Sequence, residues 1–252
     1  MRVTRKRKPT PKKTRTRATK ARRTWRVPTW REVVRAVARV FLWVFAVQFG
    51  VVVLFAVVNP PTNFYIMSER WRLGAVKQDW VAIADISPDM ARSVVAAEDA
   101  DFCQHWGFDL NAIRAVVNSK SKVRRGASTL TQQVAKNVFL WPSRTWVRKF
   151  FEAEITLLVE LVWSKRRIVE VYLNVAEFDE GVFGVPAAAQ HYFGVPARNL
   201  TLTQAARLAA ILPSPRTRSA SKPSAATLKR ARAIVSGAET IAADGRDRCF
   251  SS

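Results

Sequence analysis

The sequence has few of the side chains that metal and nucleophile chemistry usually requires. Its 252 residues include two cysteines and two histidines. Two cysteines are too few for a disulfide-built domain or a four-cysteine zinc site, and two histidines cannot form a centre that needs several imidazoles. Acidic residues are also scarce, with 19 Asp and Glu against 42 Lys and Arg. Because 48% of the residues are hydrophobic, the chain can form an ordinary folded domain, and wholesale disorder is excluded.

The positive charge is concentrated near the amino terminus. Residues 1–39 contain 16 of the basic side chains, and Glu32 is their only acid. We expect residues 1–39 to be a cytoplasmic tail, of which residues 2–23 should be disordered and attracted to anionic lipid headgroups. Nucleic-acid binding is the competing interpretation. The first 24 residues contain no aromatic side chain that could stack on a base, so we expect no nucleic-acid partner.

The segment that follows is long and apolar. Residues 40–58 contain no charged side chain, and their number is close to the roughly 20 residues that a helix needs to cross a bilayer. The alternatives are a cleaved signal peptide and a buried core helix, but the run is long for a signal peptide and no cleavage pattern precedes Asn59. We therefore predict a single-pass signal anchor. The basic tail keeps the amino terminus cytoplasmic, with Trp25 and Trp30 near the inner interface.

The rest of the chain predicts a mainly α-helical domain after a short extended linker at 59–65, where two prolines follow each other. Strand alternation is weak and there is no internal repeat. Capping signals precede apolar stretches, including capping boxes at Thr129 with Gln132 and at Thr201 with Gln204. These signals predict helices at 88–97, 109–117, 129–139, 143–163, 165–173, 186–192 and 201–213. The long helix at 143–163 should face the core with Phe151, Ile155, Leu158 and Val162.

One candidate for chemistry is the segment EDADFCQHWGFD, which places Glu98 and Asp99 at a predicted helix end. A carboxylate there, among aromatic side chains, would meet an unfavourable helix dipole and desolvation. Both effects raise its pKa towards the range of a general base. The ordinary explanation is a surface acidic pair, and spacing alone does not decide between the two.

Two further candidates lie downstream. The segment RRGASTLTQQVAKN places Ser128 and Thr129 at a helix start that can hold anionic oxygen, with Lys136 further along. It lacks the glycine and lysine order of a nucleotide-binding loop, and an ordinary capped helix is the alternative. In RKFFEAE, Arg148 lies four residues before Glu152, a spacing also found in many ordinary ion pairs.

Taken together, the order and spacing of these segments resemble the peptidoglycan glycosyltransferase family. The resemblance covers about residues 64–215 and also includes SKRRIVEVYLN and GVFGVPAAAQHYFG. It implies a lysozyme-like, mainly α-helical domain behind a single amino-terminal transmembrane helix. It further implies that the domain polymerises lipid II into β-1,4 glycan strands with inversion and releases undecaprenyl diphosphate.

The resemblance also implies residue roles. Glu98 matches the base of the family and Glu152 its second catalytic carboxylate, which assists the leaving side or orients basic groups. Lys136, Arg148 and Lys149 would supply cations for the departing diphosphate. The positions that would shape the substrate cleft are Asp99, Phe102, His105, Ser128, Thr129, Gln133 and Asn137.

Two positions depart from the family pattern. Ala127 stands where the family often has a second glycine, which is a small change if the backbone there has a negative φ. Gln204 stands where glutamate is usual, but either residue can complete a capping box with Thr201. We expect neither departure to abolish activity.

The predicted domain boundaries are 66–215 for the glycosyltransferase domain and 216–252 for a carboxy-terminal helix with a loose tail. The segments SKSK at 119–122 and SASK at 219–222 fit the S-x-x-K pattern, but the other transpeptidase motifs are missing, so we expect a monofunctional enzyme. We expect Cys103 and Cys249 to be free thiols.

The resemblance implies a place in the cell inner membrane, with the catalytic domain in the periplasm. Lipid II and the growing glycan strand would be its substrates, and cell-wall synthesis proteins are candidate partners. We expect no metal-ligating residues and no obligatory cofactor, while Mg²⁺ or Mn²⁺ is allowed. The alternatives are a lytic glycan-cleaving enzyme and an inactive membrane-tethered scaffold. The basic residues favour a diphosphate substrate over a neutral glycan, and the intact glutamates argue against an inactive scaffold.

Overall fold

The computed structural model describes residues 27–118, 128–143 and 145–251, and these are mainly α-helical, as the sequence predicts. Trp25, Ala127 and the segment at 119–122 lie outside the described residues. The chain separates into two compact units, Met1–Val44 and Phe45–Ser252.

The first helix, α1, spans Trp30–Val57. The backbone N–H and the hydroxyl of Thr29 donate to the Glu32 carboxylate, over 2.7 and 2.9 Å, and so tie down the residue before the helix. In the described part of the chain, α1 is the one helix long and apolar enough to cross a membrane. The residues expected to be disordered, 2–23, lie outside the described residues, and the predicted tail boundary at residue 39 falls inside α1. A helix can continue through charged residues, so the apolar stretch marks the predicted span but not the helix start.

The second unit contains ten further helices among its described residues. They are α2 (Phe64–Leu73), α3 (Pro88–Glu98), α4 (Leu110–Asn118), α5 (Leu130–Val134), α6 (Trp146–Val162), α7 (Lys165–Val175), α8 (Val185–Phe193), α9 (Leu202–Ile211), α10 (Ala225–Asp244) and α11 (Arg248–Ser251). Short 3-10 turns lie at Ile83–Asp85, Phe102–Gln104 and Ala197–Asn199.

The helix starts follow the predicted caps. Both capping boxes, Thr129 with Gln132 and Thr201 with Gln204, are present with both of their hydrogen bonds. Asp109 accepts from the backbone N–H of Ala112 over 2.8 Å at the start of α4. These short-range signals locate helix starts reliably because both partners lie within one turn of each other.

The helix α5 continues directly into a π-helical turn at Ala135–Phe139. The sequence predicts a helix across this whole stretch but not its change of hydrogen-bond pattern. Downstream, α6 buries Ile155 and partly buries Phe151, Leu158 and Val162 against the core, as its apolar stripe predicts.

Among the described residues, three short strands form one small sheet, which weak alternation in the sequence does not reveal. They are β1 (Lys77–Gln78), β2 (Glu177–Asp179) and β3 (Val182–Phe183), in the spatial order β1-β3-β2. The strand β3 pairs in parallel with β1, with Lys77 opposite Val182, and antiparallel with β2. Gly184 follows β3 with φ +81°, where a Cβ atom would lie 2.8 Å from the carbonyl oxygen of Asn174. The turn that leads into α8 therefore requires glycine.

The carboxy-terminal segment is packed, which corrects the prediction of a loose tail. The helix α10 lies against both α3 and α9, and the side chain of Phe250 in α11 is buried. Cys103 and Cys249 form a disulfide, so the prediction of free thiols is wrong. The two cysteines are 146 residues apart in sequence, and α10 returns the chain to the turn after α3 and brings them together.

Candidate functional site

Glu98 is the last residue of α3, and its side chain is 16% exposed. Gln133 on α5 donates from its amide nitrogen to Oε2 of Glu98 over 2.9 Å, and the Tyr172 hydroxyl donates to the Gln133 amide oxygen over 3.2 Å. Arg230 on α10 approaches Oε1 at 3.5 Å. Glu98 is thus oriented by groups from separate elements, with Arg230 as a more distant cation.

Burial is the main cause that raises the pKa of Glu98 above its ordinary value. The hydrogen bond from Gln133 and the positive charges of Arg230 and Lys136 oppose this shift, while the charge of Asp99 adds to it. The balance leaves a carboxylate that binds a proton more readily than a free glutamate, as a general base must.

Asp99 is buried and organises the surrounding backbone. Its Oδ2 accepts from the backbone N–H of Leu130 at the start of α5 over 2.9 Å. Its Oδ1 lies 2.8 Å from Nε2 of His105. Because one carboxylate joins the end of α3 to the start of α5, Asp99 fixes the distance between Glu98 and Gln133.

The structure places four further predicted residues around this frame rather than in an open cleft. Phe102 is fully buried and packs near His105 and Phe250. Thr129 caps α5, and its hydroxyl donates to the carbonyl of Gly107 over 2.6 Å. Ser128 is exposed at the residue before this cap. Their contact with a substrate stays a prediction.

Glu152 on α6 lies in a different environment. Its side chain is 4% exposed, and Nη1 of Arg148 donates to its Oε2 over 2.6 Å. Lys149 donates to its Oε1. The carboxylate is therefore saturated by two cations from the preceding turn of its own helix, and it holds Arg148 in place.

Lys136 lies in the π-helical turn. Burial is the main cause that lowers its pKa, and the charges of Arg148 and Lys149 act in the same direction. The charges of Glu152 and Glu98 oppose this shift. Lys136 therefore lies within the electrostatic reach of both carboxylates.

A cavity of about 550 Å³ lies beside these groups. Of the predicted site residues, Gln133, Lys136, Asn137 and Arg148 line it. Glu98 and Glu152 do not line it, but each contacts a residue that does. The predicted residues thus divide into those that line the cavity and the partners Glu98 and Glu152 behind them. The Lys149 side chain is 44% exposed.

The sequence did not reveal two further residues that line this cavity, Tyr65 and Glu177. The Tyr65 hydroxyl donates to Glu177 over 2.6 Å, and Arg216 binds both residues. Burial is the main cause that raises the pKa of Tyr65, and the hydrogen bond to Glu177 acts in the same direction. No local signal joins these residues, since Tyr65 and Glu177 are 112 positions apart.

Comparison with known proteins places the chain in a family. A family model described as "Transglycosylase" matches residues 66–239. The chain belongs to the transglycosylase family. The match extends past the predicted boundary at residue 215 and includes Arg230 on α10. A transglycosylase model over residues 66–239 is consistent with the monofunctional enzyme predicted from the sequence.

Several relatives of this transglycosylase are named biosynthetic peptidoglycan transglycosylase. The relative from Jannaschia sp. (strain CCS1) is 55% identical over 201 residues, which cover 80% of this chain and 83% of the relative. The relative from Pseudomonas entomophila (strain L48) is 48% identical over 207 residues, covering 79% and 88%. The relative from Salmonella schwarzengrund (strain CVM19633) is 52% identical over 186 residues, covering 69% and 76%.

The described part of this transglycosylase contains no group of three or more His, Cys, Asp or Glu side chains arranged to hold a metal ion. Its two histidines are instead each next to an aspartate, His105 by Asp99 and His191 by Asp179. Of the charged side chains in the described ranges, Lys136, Arg148 and Glu177 line the cavity.

Proposed function

We propose that this transglycosylase polymerises lipid II into peptidoglycan glycan strands in cell-wall synthesis. The observation that carries the proposal is a largely buried carboxylate, Glu98, bonded to Gln133 behind a cavity wall that contains the cations Lys136 and Arg148. A reaction that deprotonates a sugar hydroxyl and expels a diphosphate requires a base and positive charge in this combination.

In the proposed reaction, Glu98 accepts the proton of the 4-hydroxyl group of the acceptor sugar. The hydroxyl oxygen forms a bond to the anomeric carbon of the donor, and the bond from that carbon to the diphosphate breaks. The electron pair leaves with undecaprenyl diphosphate, and the α linkage is inverted to β-1,4. The raised pKa of Glu98 supports its role, because a base is most effective when its pKa is near the working pH.

The cationic wall acts on the leaving group. Lys136 and Arg148 line the cavity, and charge develops on the diphosphate oxygens as the bond breaks. The Arg148 guanidinium is held by Glu152, so its position is fixed before substrate binds. In this proposal Glu152 orients the basic residues and does not itself transfer a proton.

We further propose that the enzyme is anchored by α1 in the cell inner membrane, with a cytoplasmic amino terminus and a periplasmic catalytic domain. Apolar side chains exposed on α6, namely Trp146, Phe150, Leu157 and Leu161, support membrane association of the domain itself. Such a position would keep the polyprenyl chain of the substrate in lipid. Reporter fusions after Pro60 should be active only for an extracytoplasmic reporter, and a cytoplasmic readout would contradict this topology.

The proposal requires no protein-bound cofactor. Mg²⁺ or Mn²⁺ would reach the site with the substrate diphosphate. We also propose other cell-wall synthesis proteins as partners of this transglycosylase, because the proposed reaction belongs to cell-wall synthesis.

The decisive experiment incubates the purified full chain with lipid II and separates the products by size. Long glycan strands support the proposal, whereas shortening of added strands would support the lytic alternative, and no change would support a scaffold. Lys136→Ala and Arg148→Ala should each lower turnover at saturating lipid II, since the stabilisation they supply grows as the bond breaks. Binding of a phosphate-free glycan should hardly change. Normal polymerisation with weaker glycan binding would contradict the donor-site assignment.

A further inference from the structure

The helix α10 brings one arginine to the end of the helix that carries the base. Nη2 of Arg230 donates to the carbonyl oxygen of Ala97 over 3.3 Å and approaches Oε1 of Glu98 at 3.5 Å. Ala97 and Glu98 are the last two residues of α3, where backbone carbonyls have no partner within the helix. A cation at this position is favourable for the helix end and also faces the carboxylate.

Separate contacts fix the position of α10 relative to α3. The helix packs along α3, and beyond its carboxyl end Nε of Arg92 on α3 donates to Asp247 over 2.8 Å. Arg246 donates to the carbonyl of Ala100 over 3.2 Å, and the disulfide between Cys103 and Cys249 lies next to it. The packing of α10 on α3 and the Cys103–Cys249 disulfide thus hold Arg230 near Glu98.

We propose that Arg230 is a positioning residue for Glu98 in the transfer reaction. It holds the end of α3 and keeps the Glu98 carboxylate directed towards Gln133, with its charge compensated. This inference rests on the proposed function, because it concerns the base of that reaction. Arg230 does not line the cavity, so it acts through Glu98 and not through substrate.

The groups around Glu98 determine how the charge of Arg230 changes the pKa of Glu98. Four other groups face the carboxylate from neighbouring elements: Gln133 on α5, Lys136 on the π-helical turn, Tyr172 on α7 and the adjacent Asp99. Of these five groups, only Arg230 and Lys136 are cations. Both lower the pKa of Glu98 against the effect of burial. Loss of the Arg230 charge therefore raises that pKa further.

The test measures kcat and KM for lipid II across pH with the full chain. In Arg230→Gln the acid limb of kcat/KM should move to higher pH, because Glu98 stays protonated over a wider range. We expect kcat at neutral pH to fall by up to about 100-fold, because displacing a catalytic group by about 1 Å can slow a reaction that much. KM should change little. Arg230→Lys keeps the charge but shortens the reach to Ala97, so its acid limb should stay in place while kcat falls less.

Arg232→Gln is the matched control, since Arg232 is exposed on the same helix two positions along. It should behave as the unaltered chain does. An acid limb that does not move in Arg230→Gln, or equal losses at every pH, would overturn the inference. If Arg230→Gln does not fold, Arg230→Lys decides: a moved acid limb or unchanged kcat would overturn it. Failure of the unaltered chain to polymerise lipid II would instead contradict the proposed function.

Discussion

The two carboxylates of the site differ in how many charges hold them. Glu98 has a neutral amide donor at 2.9 Å and a more distant arginine, whereas Glu152 is saturated by Arg148 and Lys149. The first arrangement leaves a carboxylate that can take up a proton, and the second fixes the positions of two cations. Identical side chains thus acquire different chemistry from the number of charges nearby.

The difference should be largest in catalysis. Glu98→Gln keeps the size of the side chain but removes the base, and we expect polymerisation to fall at least about 100-fold. The free energy of unfolding of the Glu98→Gln variant should not fall, and it should rise because the charged carboxylate is removed. Because the folded-state pKa of Glu98 is raised, the folded state gains stability as the pH falls through that pKa, so the charged carboxylate costs stability at neutral pH.

Lipid II turnover and urea denaturation of the Glu98→Gln variant, both at neutral pH, check this prediction. The variant should show this loss of turnover and be at least as stable as the unaltered chain. Near-normal turnover in a folded variant would remove Glu98 from the mechanism.

The same change at the second carboxylate should mainly affect stability. Glu152→Gln removes the buried counter-charge of Arg148 and Lys149. We therefore expect the free energy of unfolding to fall by about 3 kcal/mol. Turnover should also fall, since Arg148 is no longer held. Urea denaturation measures the stability, and Glu154→Gln on the same helix serves as control. Equal stability of the two variants would show that the ion pairs do not support the fold.

The disulfide offers a way to affect one carboxylate without the other, because the carboxy-terminal segment contacts the end of α3 at Glu98 and not Glu152. Reduction, or Cys103→Ser with Cys249→Ser, should lower the free energy of unfolding by about 2 to 5 kcal/mol, since the bond closes a long loop. Denaturation with and without reductant measures this loss. A stability that does not respond to reductant, with the bond verified by mass spectrometry, would contradict the prediction.

The smallest expected effect is on the shape of the pH profile. Activity should fall as the pH drops through the raised pKa of Glu98 and as it rises through the lowered pKa of Lys136. The active range should therefore lie between the ordinary values of 4.5 for glutamate and 10.5 for lysine, with both limbs moved inward. Lys136→Arg should move the alkaline limb alone to higher pH, because arginine stays charged. An unmoved alkaline limb in an active variant would exclude Lys136 as its cause.

Short-range features of the fold could be predicted from the sequence. The capping boxes at Thr129 and Thr201 and the pairing of Arg148 with Glu152 all join residues within four positions. The features that could not be predicted join distant residues: Arg230 is 132 positions from Glu98, and Cys249 is 146 from Cys103. These contacts depend on how α10 packs on α3, which no local pattern specifies. The family resemblance supplied Glu98, its partner Gln133 and Lys136, but not Arg230.

The π-helical turn at Ala135–Phe139 makes the site sensitive to chain length as well as to side-chain identity. A wider turn holds one more residue than an α-helical turn, so its residues are spaced differently around the helix axis. Deleting one residue there would let the segment close into a regular α-helix, with about 100° between successive residues, so the residues inside the turn would face other directions. Lys136 and Asn137 could not then share a wall with Gln133. Homologous chains that keep this wall should therefore tolerate substitutions in the turn far better than a single-residue deletion.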